Sequence, residues 1–305
     1  MEQHHIIADF STSDAWIILS PIEASIKRKI EAVGTPLKEW DISIYRGVLT
    51  GCNDAFIIDT AKRDEILANC ESAEERQRTE ALIRPILRGR DIKRYSYNWA
   101  GLWLIYIPWH FPLQHDPSIQ GASEKAEQDF QKQYPAVYTH MLQYKDSLLK
   151  RNKAETGIRY EWYALQRWGA KYWEDFDKPK IIWKVIGSQL AFTIDTAKIL
   201  LNNACYLLTG NQLKHILGFL NSPALIWYSE ITNMNKTGVG DAQVGAQNIV
   251  LFPIPIKRIQ EVEILVDKLL VNPSDQIVKQ QLSDKIYSIY GLNTEESNFL
   301  NDLNL

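Results

Sequence analysis

The side chains of this sequence best suited to chemistry are the basic ones between residues 84 and 95. They are Arg84, Arg88, Arg90, Lys93 and Arg94. Only Asp91 opposes them, so the stretch has a net charge of +4, and it ends in the aromatic Tyr95. Guanidinium and ammonium groups bind phosphate oxygens, and arginine also binds guanine edges. We therefore predict a loop that contacts nucleic acid through Arg88, Arg90, Lys93, Arg94 and Tyr95. Arg84 and Asp91 are predicted instead to form a structural ion pair.

A second basic zone, residues 145–184, combines charge with aromatic rings. It contains ten basic and six acidic residues, a net charge of +4. Its interleaved rings are Tyr160, Trp162, Tyr163, Trp168, Tyr172 and Trp173. Such rings can pack on sugars or displaced bases while cations bind phosphates. We predict Arg159 and Arg167 as base contacts, and Lys180 and Lys184 as phosphate contacts. An irregular loop held by its aromatic side chains, with the charges in solvent, is the alternative interpretation.

A glycine-rich polar segment at residues 233–247 supplies one more cation, Lys236. Because glycine lets the backbone approach a ligand closely, we predict Lys236 as a phosphate contact. No strand pattern leads into Gly238-Val239-Gly240 and no Gly-Lys-Ser or Gly-Lys-Thr follows, which argues against a nucleotide-binding loop. A flexible connector is the competing interpretation.

The elements that must position these side chains begin with a predicted hairpin. A strand pattern at residues 44–48 is interrupted by the turn residues 51–54, and an apolar run follows at 55–58. Two short strands around a Gly/Asn/Asp turn are typical of a hairpin. This hairpin would carry Arg46, a further predicted base contact. Residues 180–186 and 189–195 predict a second strand pair joined by a two-residue turn.

Helix starts are marked by capping residues. Ser20 before Pro21, with Glu23 three residues after the cap, predicts a helix that ends at Gly34. Thr60 and Ser72 predict the caps of helices 61–69 and 73–83, the second with a capping box completed by Glu75. These short helices separate the hairpin from the basic loop in sequence.

In their order and spacing, these segments resemble the TaqI-like C-terminal specificity domain. This is the target-recognition part of adenine-specific DNA methyltransferases and of type IIG restriction-modification enzymes. The segments that carry the resemblance are Arg46-Gly47, Thr50-Gly51, Asn53-Asp54-Ala55-Phe56, Ile58-Asp59 and Leu87-Arg88-Gly89-Arg90-Asp91-Ile92-Lys93-Arg94-Tyr95. Further similar segments are Lys178-Pro179-Lys180-Ile181-Ile182-Trp183, Asn202-Asn203 and Leu220-Asn221-Ser222.

The resemblance implies an α+β fold, with a mixed, mostly antiparallel sheet, peripheral helices and a C-terminal helical segment. We expect a target-recognition domain at 1–256, and a helical segment at 257–305 that packs on it or on a partner. The implied function is sequence-specific recognition of double-stranded DNA for a methyltransferase or endonuclease domain or subunit. That methyltransferase would use S-adenosylmethionine, whereas no cofactor is expected in this chain.

Catalytic motifs are missing from the sequence. It contains no Pro-Pro dipeptide and therefore lacks the Asn-Pro-Pro-Tyr catalytic motif of the adenine methyltransferases that the resemblance points to. It also lacks the alternating strand and helix pattern of their cofactor-binding sheet. Asp175 and Asp177 lack the Glu-x-Lys strand of a metal nuclease, and the spacing of His110, His115 and Asp116 fits no standard metal site. We therefore predict a chain that binds DNA and neither catalyses a reaction nor holds a metal.

The composition sets the remaining limits. The chain has 305 residues, 45% of them hydrophobic and 23% charged, which is typical of a globular protein. With a net charge of −3, a DNA-binding protein must concentrate its positive charge on one face. Three widely separated cysteines argue against disulfides. The absence of a signal-peptide pattern and of a long apolar run predicts a cytoplasmic protein without a membrane partner.

The C-terminal segment, residues 257–305, has five basic and eight acidic residues. This charge argues against direct contact with DNA. The alternative function is a protein-interaction module that keeps the specificity-domain fold, because the ten tryptophans of the chain would suit a protein interface equally well. Salt dependence separates the two, since binding through phosphates weakens steeply as salt rises.

Overall fold

The computed structural model describes residues 19–187, 189–232 and 242–303. Its helices are α1 (Pro21–Val33), α2 (Asn53–Phe56), α3 (Thr60–Ala68), α4 (Ala73–Leu82), α5 (Glu124–Gln133), α6 (Pro135–Leu142), α7 (Lys145–Leu149), α8 (Leu213–Leu220), α9 (Pro223–Ile231), α10 (Ala246–Ile249), α11 (Gln260–Val271), α12 (Gln276–Ile289) and α13 (Thr294–Asp302). Its strands are β1 (Thr35–Pro36), β2 (Ile42–Arg46), β3 (Ile57–Asp59), β4 (Ile83–Leu87), β5 (Ile92–Lys93), β6 (Ser96–Tyr97), β7 (Leu102–Ile105), β8 (Lys180–Lys184), β9 (Ile186–Gly187), β10 (Phe192–Asp195), β11 (Leu200–Leu201), β12 (Cys205–Gly210), β13 (Ala242–Gln243) and β14 (Pro253–Ile254). The predicted α+β fold is confirmed.

A central four-stranded sheet has the order β10-β8-β12-β2, with every pair antiparallel. Neighbouring side chains on a strand point to opposite faces, and both faces of this sheet are buried. On β8, Trp183 packs in one apolar cluster and Ile182 in another. Because the sheet separates two cores, the side chains of its inner strands β8 and β12 are mostly buried, and Lys184 at the end of β8 is partly exposed.

The second core surrounds another four-stranded sheet, of order β11-β4-β7-β3. Only its pairing of β11 with β4 is parallel. The predicted mostly antiparallel arrangement is therefore confirmed. Phe56, Phe130 and Tyr163 are fully buried in this core.

The C-terminal helices pack on the first core. Val262 and Val266 of α11 and Leu282 of α12 are buried in the same cluster as Trp183. Gly218 of α8 lets α11 approach closely, because a Cβ atom there would lie 2.7 Å from Cγ1 of Val262. This segment thus packs on its own chain, while the division at residues 256 and 257 remains a prediction.

The predicted hairpin at residues 44–58 does not form. β2 pairs with β12, whereas β3 pairs with β7 in the other sheet. The chain changes sheets at Gly47, where a Cβ atom would lie 2.1 Å from the backbone oxygen of Asn202. Beyond it, the Thr50 hydroxyl donates to Asn53 Oδ1 at 2.7 Å at the start of helix α2.

The second predicted strand pair forms, but without a two-residue turn. β8 and β10 are antiparallel, with Trp183 opposite Phe192. The strand ends at Lys184 because Ile186–Gly187 separates from it as β9 and pairs with β13. The other half of the predicted turn, Ser188, lies outside the described residues.

The predicted helix caps are confirmed in part. Ser20 and Glu23 form the capping box of α1, and the Ser72 side chain accepts from the Glu75 backbone. The predicted Thr60 cap is wrong, since Asp59 caps α3 by accepting from Lys62 N at 2.8 Å. The second capping box is also wrong, because the Glu75 carboxylate instead binds the backbone amides of Glu71 and Ala136. Across the described residues, no helix has the length and apolar character to cross a membrane.

Candidate nucleic-acid interface

Three basic side chains lie at one end of the central sheet. Arg46 ends β2 and Lys184 ends β8, on either side of β12. Since neighbouring strands lie about 4.8 Å apart, the two backbones are roughly 10 Å from each other. Arg90 is the third, on the turn Gly89–Asp91. We refer to Arg46, Arg90 and Lys184 as the basic edge.

Arg46 is held in place by a ladder of rings. Its guanidinium lies 5.8 Å from the ring centroid of Tyr206, which in turn stacks on Trp183 at 5.4 Å. Arg46 Nε donates to the backbone oxygen of Asn203 at 2.7 Å. On the neighbouring position, Tyr45 stacks on Tyr172 at 4.3 Å. These contacts orient an exposed guanidinium, and no ion pair to Arg46 forms within the described ranges.

Arg90 is placed over the same end of the sheet by its neighbour Gly89. A Cβ atom on Gly89 would lie 3.2 Å from the Lys184 Cβ and 3.3 Å from the backbone oxygen of Ala204. The turn therefore packs directly on the ends of β8 and β12. Arg90 itself is exposed, so its charge faces solvent beside Lys184, which is partly exposed.

Arg88 has a structural partner. Its Nη2 and Nε donate to the two oxygens of Asp91 at 2.8 and 3.1 Å. Burial alone would raise the pKa of Asp91, but its hydrogen bonds with Arg88 outweigh this and lower it. The predicted pairing of Arg84 with Asp91 is wrong, because Arg84 instead binds Asp177 and the Lys198 backbone oxygen. Arg88 thus stabilises the turn that presents Arg90.

Two predicted contacts are buried and cannot touch DNA. The side chain of Lys180 is 0% exposed, and its Nζ binds Asp195 Oδ2 at 2.5 Å and the Phe176 backbone oxygen at 2.7 Å. Tyr95 is 4% exposed. It has a φ of 61° and donates its backbone N–H to Phe192 O, and burial raises the pKa of its hydroxyl. The predictions for Lys180 and Tyr95 are therefore corrected.

The remaining cations of the basic loop lie on its last turn. Lys93 is exposed at the end of β5. Arg94 donates from Nε to the Leu190 backbone oxygen at 3.0 Å and is partly buried against the C-terminal helices. Lys93 thus keeps the exposure that a phosphate contact needs, whereas Arg94 lines a separate cavity.

Arg159 and Arg167 form a patch around one carboxylate. Each donates from Nη1 to a different oxygen of Glu155, both at 3.0 Å. The hydrogen bond from Arg167 is the main cause that lowers the pKa of Glu155. Arg167 also pairs its backbone with Leu49, three residues after Arg46. This patch therefore lies beside the segment that follows Arg46 in the chain, with one charge neutralised.

The aromatic residues of the second basic zone are largely structural. Tyr160 and Tyr163 are 0% exposed and Trp162 is 5% exposed. Arg151, counted among the basic residues, is also buried and donates to backbone oxygens, including those of Thr50 and Trp162. The alternative interpretation, an irregular loop held by its aromatic side chains with the charges in solvent, describes these rings but not the buried Arg151.

Other predicted sites fall elsewhere. Lys236 lies outside the described residues. His110 faces Glu161, with Nδ1 3.1 Å from Oε1. Nowhere in the described ranges do three His, Cys, Asp or Glu side chains group as a metal site requires.

The sequence did not predict that Asn203 and Tyr172 contact Arg46 through hydrogen bonds. The Asn202-Asn203 segment pointed to this part of the chain only through the family resemblance.

Comparison with known proteins gives one matching family and two similar solved structures. Residues 84–254 match the family of TaqI-like C-terminal specificity domains. No curated protein matches the chain. The structure of the type IIL restriction-modification enzyme MmeI in complex with DNA is similar, with a TM-score of 0.55 and 14% sequence identity over 88% of this chain and 36% of MmeI. The type IIG restriction endonuclease BpuSI has a TM-score of 0.46 and 13% identity over 88% of this chain and 33% of its own. The chain thus spans about a third of these enzymes, and the likeness to MmeI concerns the fold.

Proposed function

We propose that this chain, which belongs to the family of TaqI-like C-terminal specificity domains, recognises a sequence in double-stranded DNA. It would direct an adenine-specific DNA methyltransferase or a type II restriction-modification enzyme to that sequence. The observation that carries the proposal is the basic edge, where Arg46 and Lys184 end two strands at one end of the central sheet and Arg90 lies on the turn packed against that end. The catalytic domain or subunit, which would use S-adenosylmethionine, supplies the chemistry.

The basic edge offers local positive charge on a chain whose net charge is −3. A duplex carries a negative charge about every 1.7 Å along its axis, so a concentrated cluster of cations can bind it by displacing counterions. The nearby acid Asp91 is engaged by Arg88. It therefore opposes the phosphates less than an unpaired carboxylate would.

The three side chains suit different contacts. Lys184 presents a compact charge that suits a backbone phosphate. Arg46 and Arg90 present planar guanidinium groups, which can donate two hydrogen bonds to a guanine in the major groove. Such a pair discriminates against a wrong base by about 1–3 kcal/mol. The fixed guanidinium of Arg46 is the better placed of the two for base recognition, because its ring ladder limits its motion.

Binding of a fluorescent duplex of random sequence across a salt series tests this function. We expect weak, salt-sensitive binding by the unmodified chain. The double variant Arg46→Ala/Arg90→Ala should bind more weakly, with the slope of log K against log salt reduced by about two. The matched control Arg28→Ala/Lys268→Ala removes two exposed cations from α1 and α11 and should keep that slope.

The opposite results would count against DNA recognition. Equal losses in both double variants would mean that binding depends on net charge and not on the basic edge. Absence of binding to any duplex at low salt would favour the protein-interaction alternative, because an interface held by aromatic anchors depends little on salt.

A further inference from the structure

A polar cavity of about 260 Å³ lies between the turn after β5 and the C-terminal helices α12 and α13. Its lining includes Arg94, Asn221, Gln276, Lys279, Gln280 and Asn301. Two of the residues around it are basic, and none of its described lining residues is acidic. The described lining residues therefore carry a net positive charge, and several of them are polar.

The walls of the cavity are held in place on two sides. Arg94 Nε donates to the Leu190 backbone oxygen at 3.0 Å, which anchors its guanidinium beside the cavity. Asn221 is 5% exposed, and its amide binds the backbone N–H and C=O of Phe192 at 3.1 and 2.9 Å. Lys279 extends from α12, and the described part of the chain holds no carboxylate within ion-pair distance of its Nζ. A ligand would thus enter a largely preformed site.

From this arrangement we propose that the cavity binds a phosphoryl group. Arg94 and Lys279 supply charge, and the side-chain amides of Gln276 and Asn301 supply further donors. Hydrogen bonds from cations to phosphate oxygens are among the strongest in proteins.

Two sources could supply this phosphoryl group. Leu190 precedes β10 at the same end of the sheet as Lys184, since Phe192 pairs with Trp183. The cavity therefore lies beyond the basic edge, on the β10 side, and could hold a phosphate of the DNA backbone. A free phosphorylated compound has the same chemistry. The first source rests on the proposed function, whereas the second does not.

Titration of the whole chain with inorganic phosphate at constant ionic strength tests the site. We expect saturable binding in calorimetry, weakened about tenfold in Lys279→Gln by the loss of one charge-assisted hydrogen bond. The matched control Lys268→Gln removes an exposed charge from α11 and should bind phosphate as the unmodified chain does. Absence of saturation, or equal weakening in the two variants, would overturn the proposal.

A parallel titration with a random-sequence duplex identifies the source. If Lys279→Gln also weakens DNA binding more than Lys268→Gln does, the cavity binds a backbone phosphate. If only phosphate binding is weakened, the occupant is a free phosphorylated compound. A chain that binds phosphate but no duplex would contradict the proposed function and leave this site established. Thermal unfolding of both variants distinguishes a lost contact from a lost fold.

Discussion

Lys180 and Asp195 form an ion pair from which solvent is excluded. Lys180 Nζ lies 2.5 Å from Asp195 Oδ2, and both side chains are 0% exposed. The carboxylate also accepts hydrogen bonds from the backbone amides of Ala197 and Ile199 and from the Tyr97 hydroxyl. Four residues along the same strand, Lys184 is partly exposed at the basic edge. One lysine of β8 therefore holds the sheet together while the other faces the candidate DNA surface.

We predict that Lys180→Met destabilises the fold strongly. The substitution keeps much of the side-chain volume but leaves the Asp195 carboxylate buried without its cation. Breaking a buried pair in this way costs about 3–5 kcal/mol in the free energy of unfolding. Urea denaturation followed by circular dichroism measures the loss.

Two variants control this measurement. Lys184→Met changes the same residue type at a partly exposed position of the same strand and should lower the stability less than Lys180→Met does, because it leaves Asp195 paired. The double variant Lys180→Met/Asp195→Leu should be more stable than Lys180→Met, because no buried charge remains. A cost in Lys180→Met no larger than that in Lys184→Met would show that the pair contributes little.

The sequence could not separate these two lysines. Both lie in Lys180-Ile181-Ile182-Trp183-Lys184, and a spacing of four places them on the same face of a strand. The difference comes from Asp195, which the neighbouring strand brings to one of them. Arg151 was misjudged for the same reason, since its backbone partners include Thr50, about a hundred residues away.

Local patterns were more informative. The cap of α1 depends on Ser20 and Glu23, three residues apart, and was predicted correctly. Pairing of β8 with β10 was also predictable, because the strands follow each other in sequence. The hairpin around Arg46 was predicted wrongly because the true partner is Tyr206, 160 positions along the chain. The basic edge depends on that distant pairing, so the sequence alone indicated its members but not that they lie at one end of the same sheet.

We predict that Arg46→Lys weakens recognition more than general binding. Lysine keeps the charge but loses both the planar fork and the stacking on Tyr206. On a duplex that carries the preferred sequence, affinity should fall by about 1–3 kcal/mol. On a random duplex, affinity and salt slope should change little. Selection of the preferred sequence from a random pool, followed by anisotropy titrations, provides both values.

The variant Arg46→Ala completes that comparison. It removes the charge as well, so its affinity for the random duplex should also fall, with the salt slope reduced by about one. If Arg46→Lys lowers the affinity for both duplexes equally, Arg46 contacts the backbone and not a base.

We predict that Glu155→Gln strengthens the general binding of DNA. Glu155 neutralises part of the charge of Arg159 and Arg167, whose side chains are 59% and 50% exposed. Without the carboxylate, the patch gains one unit of positive charge, which should raise the affinity for a random duplex a few-fold at low salt. Anisotropy at 50 and 200 mM salt, roughly the range over which such contacts weaken, checks this expectation.

Asp64→Asn is the control for that variant, since it removes one exposed acidic charge from α3, which is not part of the patch around Glu155. An equal gain in both variants would mean that net charge alone is responsible. A gain confined to Glu155→Gln would place Arg159 and Arg167 within the DNA-binding surface.

Glu296 attaches α13 to α1, and its contribution to the free energy of unfolding should be lost at acid pH. Glu296 is 2% exposed and accepts hydrogen bonds from Ser25 at 2.7 Å and from Lys29 at 2.6 Å. Burial alone would raise the pKa of Glu296, but the hydrogen bonds from Lys29, Asn293 and Ser25 lower it below the ordinary 4.5. The unfolded chain then binds more protons than the folded one between the two pKa values. This contribution to stability is complete above pH 4.5 and is lost as the pH falls through the pKa of the folded state.

We therefore predict that Glu296→Gln is less stable than the unmodified chain at pH 7, by about 1–2 kcal/mol for the weakened hydrogen bonds. The difference should shrink toward pH 3, where the native carboxyl group becomes protonated and resembles the amide. Glu295→Gln, at the exposed neighbouring position, should follow the unmodified chain at every pH. Urea denaturation of the three proteins from pH 7 to pH 3 provides the comparison. A stability difference for Glu296→Gln that stays constant with pH would mean that the charge of Glu296 does not hold α13 against α1.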